Sequence, residues 1–554
     1  MALRLRIVSS MEKLLPGQDG SILPAFSGTG MFADESLSFQ VLLKKEGGKA
    51  AKARMELKSS LTDCLRMREV CYVPVRTPSW PGADENYLDL RPGLFPDLLG
   101  EMPDGEVALP ATGEWVSVLV TAEPMGRFDA GHYTLTVKAE AAGETATGKV
   151  ELEILPRTLP AQTLLHTEWF HGDCLADHYG CPVFSRRWWD IAERYIAAAA
   201  RMGINVLFTP IHTPPLDTAV GKERPTVQLV GVTRDRGVWE FDFSLLDRWL
   251  ALARKYDFRG LEISHFFTQW GAEATPKILV RENGEEKRLF GWDVPAEDPL
   301  YWSYLEALLP KLVARCEEGG FPRSCQYYHL SDEPHASHLE RYARLSRSLR
   351  PLLGGARHMD ALSDIEFYRS GSVEIPVAAL NHAGPFMEAG VKPLWVYYCC
   401  GQYVDVPNRF IAMPGARTRI QGFLFWKYRV EGLLQWGFNF YYSQDSLFPV
   451  DPFAVTDGLA FPAGDPFIVY PGPDGPLESL RYVHMREALQ DMRAMQALEE
   501  LAGRPAAESI LGEMFPDMTM TCYPCRGEEL LGLRDRIHQK MKAYFLETKK
   551  EATS

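Results

Sequence analysis

The chain predicts a multidomain α/β protein: an N-terminal antiparallel β-sandwich, a TIM-type (β/α)8 barrel, and C-terminal helices. Three observations predict this order. Residues 1–158 run in short apolar–polar alternations broken by Gly, Pro and Asp, the pattern of an antiparallel sandwich. Residues 159–476 then alternate strand-like and helix-like segments, which favours a parallel barrel. Residues 477–554 carry long helical patterns and read as an extension packed on the barrel.

In the first region, Ser38-Phe-Gln-Val-Leu-Leu43, Trp115-Val-Ser-Val-Leu-Val120 and Tyr133-Thr-Leu-Thr-Val137 are the clearest strands. The junction falls at Leu152-Glu-Ile-Leu-Pro-Arg-Thr-Leu-Pro160, where two prolines interrupt regular structure. Eight barrel strands are expected at 164–170, 204–209, 261–266, 325–331, 358–362, 376–381, 394–399 and 422–428. Amphipathic helices are expected at 185–202, 243–257, 298–318 and 335–353. Asp298 followed by Pro299 supplies a cap and a first-turn proline. No Gly-x-Gly-x-x-Gly follows the first strand, so an open dinucleotide-binding sheet loses its main support. A Pro/Gly-rich loop from Pro462 to Pro476 precedes a long helix starting near Leu477, and a second helix is expected near 528–547.

Composition narrows the function. The 554 residues are 46% hydrophobic and 24% charged, as in ordinary globular proteins. A formal charge of −14 argues against nucleic-acid or anionic-membrane partners. The N-terminus alternates apolar and charged residues without the apolar core of an export signal. No charge-poor run reaches the ~20 residues of a membrane span. Ten cysteines form no regular framework, and Cys399 and Cys400 are neighbours; reduced thiols and a cytoplasmic location are expected. The sequence leaves the oligomeric state open.

The most informative stretch is Gln326-Tyr-Tyr-His-Leu-Ser-Asp-Glu-Pro-His335. An apolar strand ends in two adjacent acids, and Pro334 favours an extended Glu333. In a parallel barrel this strand end lies on the face that carries the chemistry. Cleaving a glycoside needs a proton donor for the leaving oxygen and stabilisation of positive charge at the anomeric carbon. Conventional enzymes use two carboxylates ~5 Å or more apart, which adjacent residues supply awkwardly. They suit a variant in which the substrate's own 2-acetamido oxygen attacks. Asp332 would then orient the acetamido N–H, and Glu333 would act as general acid and base. The plain structural alternative is that Asp332 caps the next helix and Glu333 lies at its solvated start.

His329-Leu-Ser-Asp-Glu-Pro334, Gly422-Phe-Leu-Phe-Trp-Lys-Tyr428 and Gly464-Asp-Pro-Phe-Ile-Val-Tyr-Pro-Gly472 together resemble glycoside hydrolase family 123 and a wider group of related domains of unknown function. The resemblance spans roughly residues 100–500. It implies a sandwich followed by a barrel, and a β-N-acetylgalactosaminidase working by substrate assistance, with the family's Asp-Glu pair matching Asp332 and Glu333. The absent export signal departs from the secreted degraders expected of such a family and favours small glycans as substrates.

Other strand ends point polar and aromatic groups at the same mouth. Strand one offers Trp169, His171 and Asp173; strand two His212; strand three His265, Gln269 and Trp270; strand four His329; strand six Asn381; strand seven Tyr397 and Tyr398; strand eight Trp426 and Tyr428. Trp169, Tyr398, Trp426 and Tyr428 are candidates for stacking on sugar, and His171 and Asp173 for binding hydroxyls. Each alone is as consistent with a core role; their convergence is what suggests a ligand site.

His171, Cys174, His178 and Cys181 have metal-ligand chemistry, but no second ligand pair at standard spacing follows, so no metal and no cofactor is expected. His-Glu-x-x-His, phosphate-loop and Gly-x-Ser-x-Gly signatures are absent. Arg281 to Arg288 reads as a solvated hairpin, and Asp217 to Pro225 as a lid over the mouth or a surface loop. Two other functions stay open: a conventional glycosidase pairing Glu333 with Glu168, Glu262 or Asp360, and a non-catalytic carbohydrate-binding protein.

Overall fold

The computed structural model describes residues 2–47 and 49–553, so Met1, Gly48 and Ser554, which fall within the expected first and last domains, lie outside the described residues. The N-terminal region forms two five-stranded sheets. One orders Leu3–Ser9, Leu37–Lys45, Val116–Ala122, Leu65–Val75 and Gly93–Gly100, antiparallel throughout. The other orders Gly28–Met31, Glu144–Ile154, Gly131–Ala141, Ala51–Lys58 and Glu106–Leu109, antiparallel except for its first pair.

Alternation explains how the sheets face each other. Phe39, Val41, Val118 and Val120 pack with Leu135, Val137, Val150 and Leu152 in the inter-sheet core. The intervening Leu119, with Val70, Phe95 and Leu99 of the same sheet, joins a second core shared with the rest of the molecule. A sheet covered on both faces accounts for the unbroken apolar run Val118-Leu119-Val120.

Eight short parallel strands follow: β1 (Leu165–Glu168), β2 (Val206–Thr209), β3 (Gly260–Ile263), β4 (Gln326–Tyr328), β5 (Arg357–Leu362), β6 (Ile375–Ala379), β7 (Trp395–Tyr397) and β8 (Gly432–Gln435). They form one sheet in the order β1-β8-β7-β6-β5-β4-β3-β2. Its two ends are joined by Asn205, whose N–H donates to the His166 carbonyl at 3.0 Å and whose Oδ1 accepts the His166 N–H at 2.8 Å. The sheet is therefore barrel-like.

The helices around it include α1 (Arg186–Met202), α2 (Ser244–Lys255), α3 (Pro299–Glu318) and α4 (Leu339–Leu349). Ser185 caps α1, and Asp298 caps α3 by accepting the Leu300 and Tyr301 N–H groups. Between α2's preceding hairpin and α3, the Arg281–Arg288 segment forms a hairpin that extends a four-stranded surface sheet.

One strand expectation is overturned. Residues 422–428 are not the eighth strand but lie in helix α5 (Gln421–Tyr428). Its residues 421–426 are all buried, so no polar face betrays a helical period, and a short fully apolar run reads equally as helix or strand. Gly422 permits this packing: a Cβ there would sit 1.9 Å from the Ala488 carbonyl oxygen.

Ala488 lies in α6 (Leu480–Ala502), followed by α7 (Arg504–Met514) and α8 (Gly527–Thr553). Helix α6 is wedged between barrel and sandwich through buried ion pairs. Arg481 holds Asp97 at 2.8 Å, and Arg419 holds both Glu487 and Asp491.

Candidate active site

A cavity opens at the carboxyl ends of the barrel strands. Its lining includes Trp169 after β1, Asp332 and Glu333 after β4, Ala361 on β5, Tyr397 closing β7, and Leu434 and Trp436 at β8. Loop residues Leu216, Asp217, Gln269, Trp270, Cys399, Cys400 and Phe461 complete it.

The acid pair is held by backbone. The Asp332 carbonyl accepts the Trp270 N–H at 2.9 Å, and the Glu333 N–H donates to the Ala361 carbonyl at 3.1 Å. Glu333 is not extended, as its proline neighbour suggested, but left-handed at φ +41°. Trp270 (φ +59°) and Asp217 (φ +40°) share this sparsely populated region. Strained backbone of this kind persists only where surrounding structure enforces it; here it aims three side chains into one cavity. The helix-cap alternative for Asp332 does not hold, since the following turn is capped by His335.

Tyr397 donates its hydroxyl to Glu333 Oε1 at 2.5 Å. Burial, and then the Glu333 charge, push the Tyr397 hydroxyl well above its usual range, so it remains a donor. Burial, and next the adjacent Glu333, push the Asp332 carboxyl well above the carboxylate range. Two neighbouring acids in a poorly solvated site favour sharing a proton over carrying two charges. Among the described residues, no group hydrogen-bonds to the Asp332 carboxyl, which leaves it open to a ligand.

Beneath the cavity lies a buried polar network. His329 is clamped between Asp360 (Nδ1 to Oδ1, 2.9 Å) and Glu262 (Nε2 to Oε1, 2.7 Å). Burial alone would lower its pKa, but these two carboxylates raise it to about 9. Trp169 Nε1 donates to Glu262 at 2.7 Å, which fixes the indole in the cavity wall. Asp360 also accepts from Tyr342 and from the Leu330 and Ser331 N–H groups at 3.2 and 3.3 Å, and lies beside His358. Glu168 is held by Arg409 at 2.6 Å. Glu168, Glu262 and Asp360 are all buried and none lines the cavity.

Of the candidates read from the strand ends, the structure brings Trp169 together with Asp332 and Glu333. His329 sits below them, bonded to carboxylates rather than facing the cavity. His212 and His265 are buried in the barrel interior, and His265 stacks on His329 at 4.2 Å. Tyr398 is buried beside Arg409, because along a strand its neighbour Tyr397 takes the opposite, cavity-facing direction. Asn381 is exposed and accepts a hydrogen bond from Gln402 at 2.8 Å outside the cavity lining.

Four more candidates lie away from the cavity lining. Trp426 and Tyr428 are not at the mouth: they belong to α5, where Trp426 donates to Glu499 at 2.9 Å and lies under Arg504 at 3.7 Å. His171 and Asp173 are not open to sugar hydroxyls. Asp173 is paired bidentately with Arg224 at 2.6 and 2.7 Å. His171 accepts from Arg224 at 3.1 Å and donates to the Trp436 carbonyl at 2.8 Å. Burial first, and then Arg224, lower the His171 pKa to about 3, so it is neutral. His171, Cys174, His178 and Cys181 do not form a ligand cluster among the described residues; His265, His329 and Asp360 are the only such group there. Both His329 nitrogens are taken up by its two carboxylates, while the two His265 nitrogens have no partner.

Gln269 and Trp270, which close the stretch read at the end of strand three, do line the cavity, whereas Trp436, Phe461 and Asp217 went unrecognised in the strand ends. Trp436 directly follows β8, and placing that strand ten residues early hid it. Burial raises the Asp465 carboxyl to about 7, and Asp465 accepts the Trp436 Nε1–H at 3.0 Å, orienting the indole.

An acid pair inside an aromatic-walled cavity at the carboxyl ends of a barrel-like parallel sheet is an arrangement that suits glycoside cleavage. Residues 169–498, more than half of the chain, match the model of the glycoside hydrolase 123 catalytic domain. The chain belongs to glycoside hydrolase family 123. It is similar over 100% of both chains to a family 123 glycoside hydrolase from Clostridium perfringens, described for glycolipid glycan hydrolysis, at TM-score 0.74 and 14% identity. Weaker likenesses include a Parabacteroides merdae β-glucuronidase (TM-score 0.30, 9% identity, 87% of this chain and 52% of that one) and a Thermotoga petrophila endo-β-1,4-mannanase (TM-score 0.34, 12% identity, 60% and 77%). No curated protein matches.

Proposed function

We propose that this family 123 enzyme is a retaining β-N-acetylhexosaminidase that removes a terminal 2-acetamido sugar, such as N-acetylgalactosamine, with the substrate's acetamide as nucleophile. The observation carrying this reading is the position of the acids: Asp332 and Glu333 are adjacent on one cavity wall, while Glu168, Glu262 and Asp360 are sequestered by Arg409 and His329. The unpartnered Asp332 carboxyl accepts the acetamido N–H. That bond favours ionised Asp332, so the proton held by the pair resides on Glu333, which delivers it to the leaving oxygen. Glu333, steadied by Tyr397, then takes a proton from the water that opens the cyclic intermediate. Trp169, Trp270, Trp436 and Phe461 form the apolar walls for the sugar. The sheet is read as a closed (β/α)8 barrel. Ten cysteines without a disulfide fit a reducing compartment, in keeping with small glycans or glycoconjugates handled in the cytoplasm.

A second reading has one supporting observation. Asp217 also lines the cavity, and burial lifts its carboxyl to about 7 despite Arg224; paired with Glu333 it would make a conventional two-carboxylate glycosidase. Chromogenic β-glycosides separate the readings. Substrate assistance requires the 2-acetamido group, and Asp332→Asn and Glu333→Gln each lower kcat/KM by ~1000-fold or more without unfolding the protein. Full activity of both variants, or equal turnover of a substrate with a 2-hydroxyl, rules it out.

A further inference from the structure

The charges of the cavity carry an inference about which sugars it admits. Its ionisable side chains are Asp217, Asp332, Glu333 and Tyr397, together with the two thiols; no Lys, Arg or His is in the lining. The cations around it are committed elsewhere, and His329 beneath the acid pair is held by Glu262 and Asp360. Arg224 is bound bidentately to Asp173, and Arg409 to Glu168, and both guanidinium groups are buried. Lys277 and Arg288, which line a separate small cavity beside the same loop, are paired with Glu223.

Asp217 is the member of this set that the chemistry does not use, and it is fixed as firmly as the acid pair. Its N–H donates to Gln269 Oε1 at 2.5 Å, and its carbonyl accepts the Ser446 hydroxyl at 2.6 Å. Its Oδ2 accepts the Asp445 N–H at 3.1 Å, while Arg224 anchors the preceding Leu216 carbonyl at 3.0 Å. Two loops and a left-handed backbone therefore fix Asp217 in the cavity lining. No shielding cation stands between Asp217 and a bound sugar.

We propose that Asp217 is a specificity residue that restricts the site to uncharged sugars: it accepts hydrogen bonds from sugar hydroxyls and excludes residues bearing sulfate, phosphate or carboxylate groups. Well above pH 7, where the test is run, Asp217 is ionised; a hydroxyl donates to its carboxylate, whereas an anionic substituent meets like charge with no cationic side chain in the lining. This rests on the acetamido-sugar reading above.

The test compares p-nitrophenyl N-acetyl-β-galactosaminide with its 6-O-sulfate, and the corresponding glucosaminide pair, on the wild-type chain and on Asp217→Asn. The wild type favours the neutral member by ~100-fold or more in kcat/KM, and Asp217→Asn narrows that ratio by at least ~10-fold, mainly through KM. Turnover of the sulfated sugar within ~3-fold of the neutral one, or a ratio unchanged in Asp217→Asn, overturns the proposal. Calorimetry of free neutral and 6-sulfated monosaccharides separates its failure from that of the proposed reaction. If no acetamido sugar is cleaved, preferential binding of neutral sugar still supports charge selection. Equal binding of the two, or no binding of either, refutes it.

Discussion

At the residue scale, the sequence exposed the acid pair because an apolar strand ending in two carboxylates before a proline is hard to explain as packing alone. It did not expose what surrounds the pair. Asp332 and Glu333 rest on His329, which sets Glu262 and Asp360 and through them Trp169. Replacing His329 by Gln leaves two buried carboxylates without their cation, a loss of about 3–5 kcal/mol in denaturant unfolding. The His329 pKa of about 9 lies above its unfolded value. Its contribution is complete below about pH 6.5 and fades as pH rises through 9. The wild type therefore loses stability over that window, and His329→Gln does not. An identical alkaline profile for both would show that His329 is not the titrating group.

At the scale of elements, the parallel strands were legible where a polar loop or helix flanked them, as at β1, β5 and β6. The eighth was not, because α5 is apolar on every side and β8 itself is only Gly432–Gln435. That one misplacement removed Trp436 from view and promoted Trp426 and Tyr428 in its stead. Likewise, strand ends could not reveal Phe461 or Asp217, which reach the cavity from loops set by tertiary contacts. The two tryptophans now have opposite expectations. Trp436→Ala raises KM by ~10-fold or more, since it removes a cavity wall. Trp426→Phe leaves KM unchanged and lowers stability by about 1–2 kcal/mol, since it loses only the Glu499 hydrogen bond and part of the Arg504 stacking. Steady-state kinetics with thermal unfolding on both variants checks the assignment, and a KM effect confined to Trp426→Phe would reverse it.

At the scale of the whole molecule, the change from alternating strands to strand–helix repeats was visible in sequence, but the mode of joining was not. Helix α6 fills the space between sandwich and barrel, and Arg481, Arg419 and Arg534 meet Asp97, Glu487, Asp491 and Glu35 there. Such long-range ion pairs leave no periodic trace. They make the sandwich part of the support for α5, and α5 part of the support for the barrel. Arg481→Met strands Asp97 as a buried charge and lowers the stability of the entire chain by about 3–5 kcal/mol. Calorimetry should record one transition shifted as a whole. Two transitions, with only one displaced, would show that the sandwich and barrel unfold independently.

The central claim is that the sugar's own amide forms the first bond to the anomeric carbon. It is tested most directly with p-nitrophenyl β-galactosaminides carrying acetyl, fluoroacetyl, difluoroacetyl and trifluoroacetyl groups on the 2-amino nitrogen. Fluorine weakens the carbonyl oxygen as a nucleophile while scarcely changing its size. With the acetamide as nucleophile, kcat/KM falls step by step, by ~100-fold or more across the series. A rate that stays within ~3-fold from acetyl to trifluoroacetyl would show that a protein carboxylate, not the substrate, makes the attack.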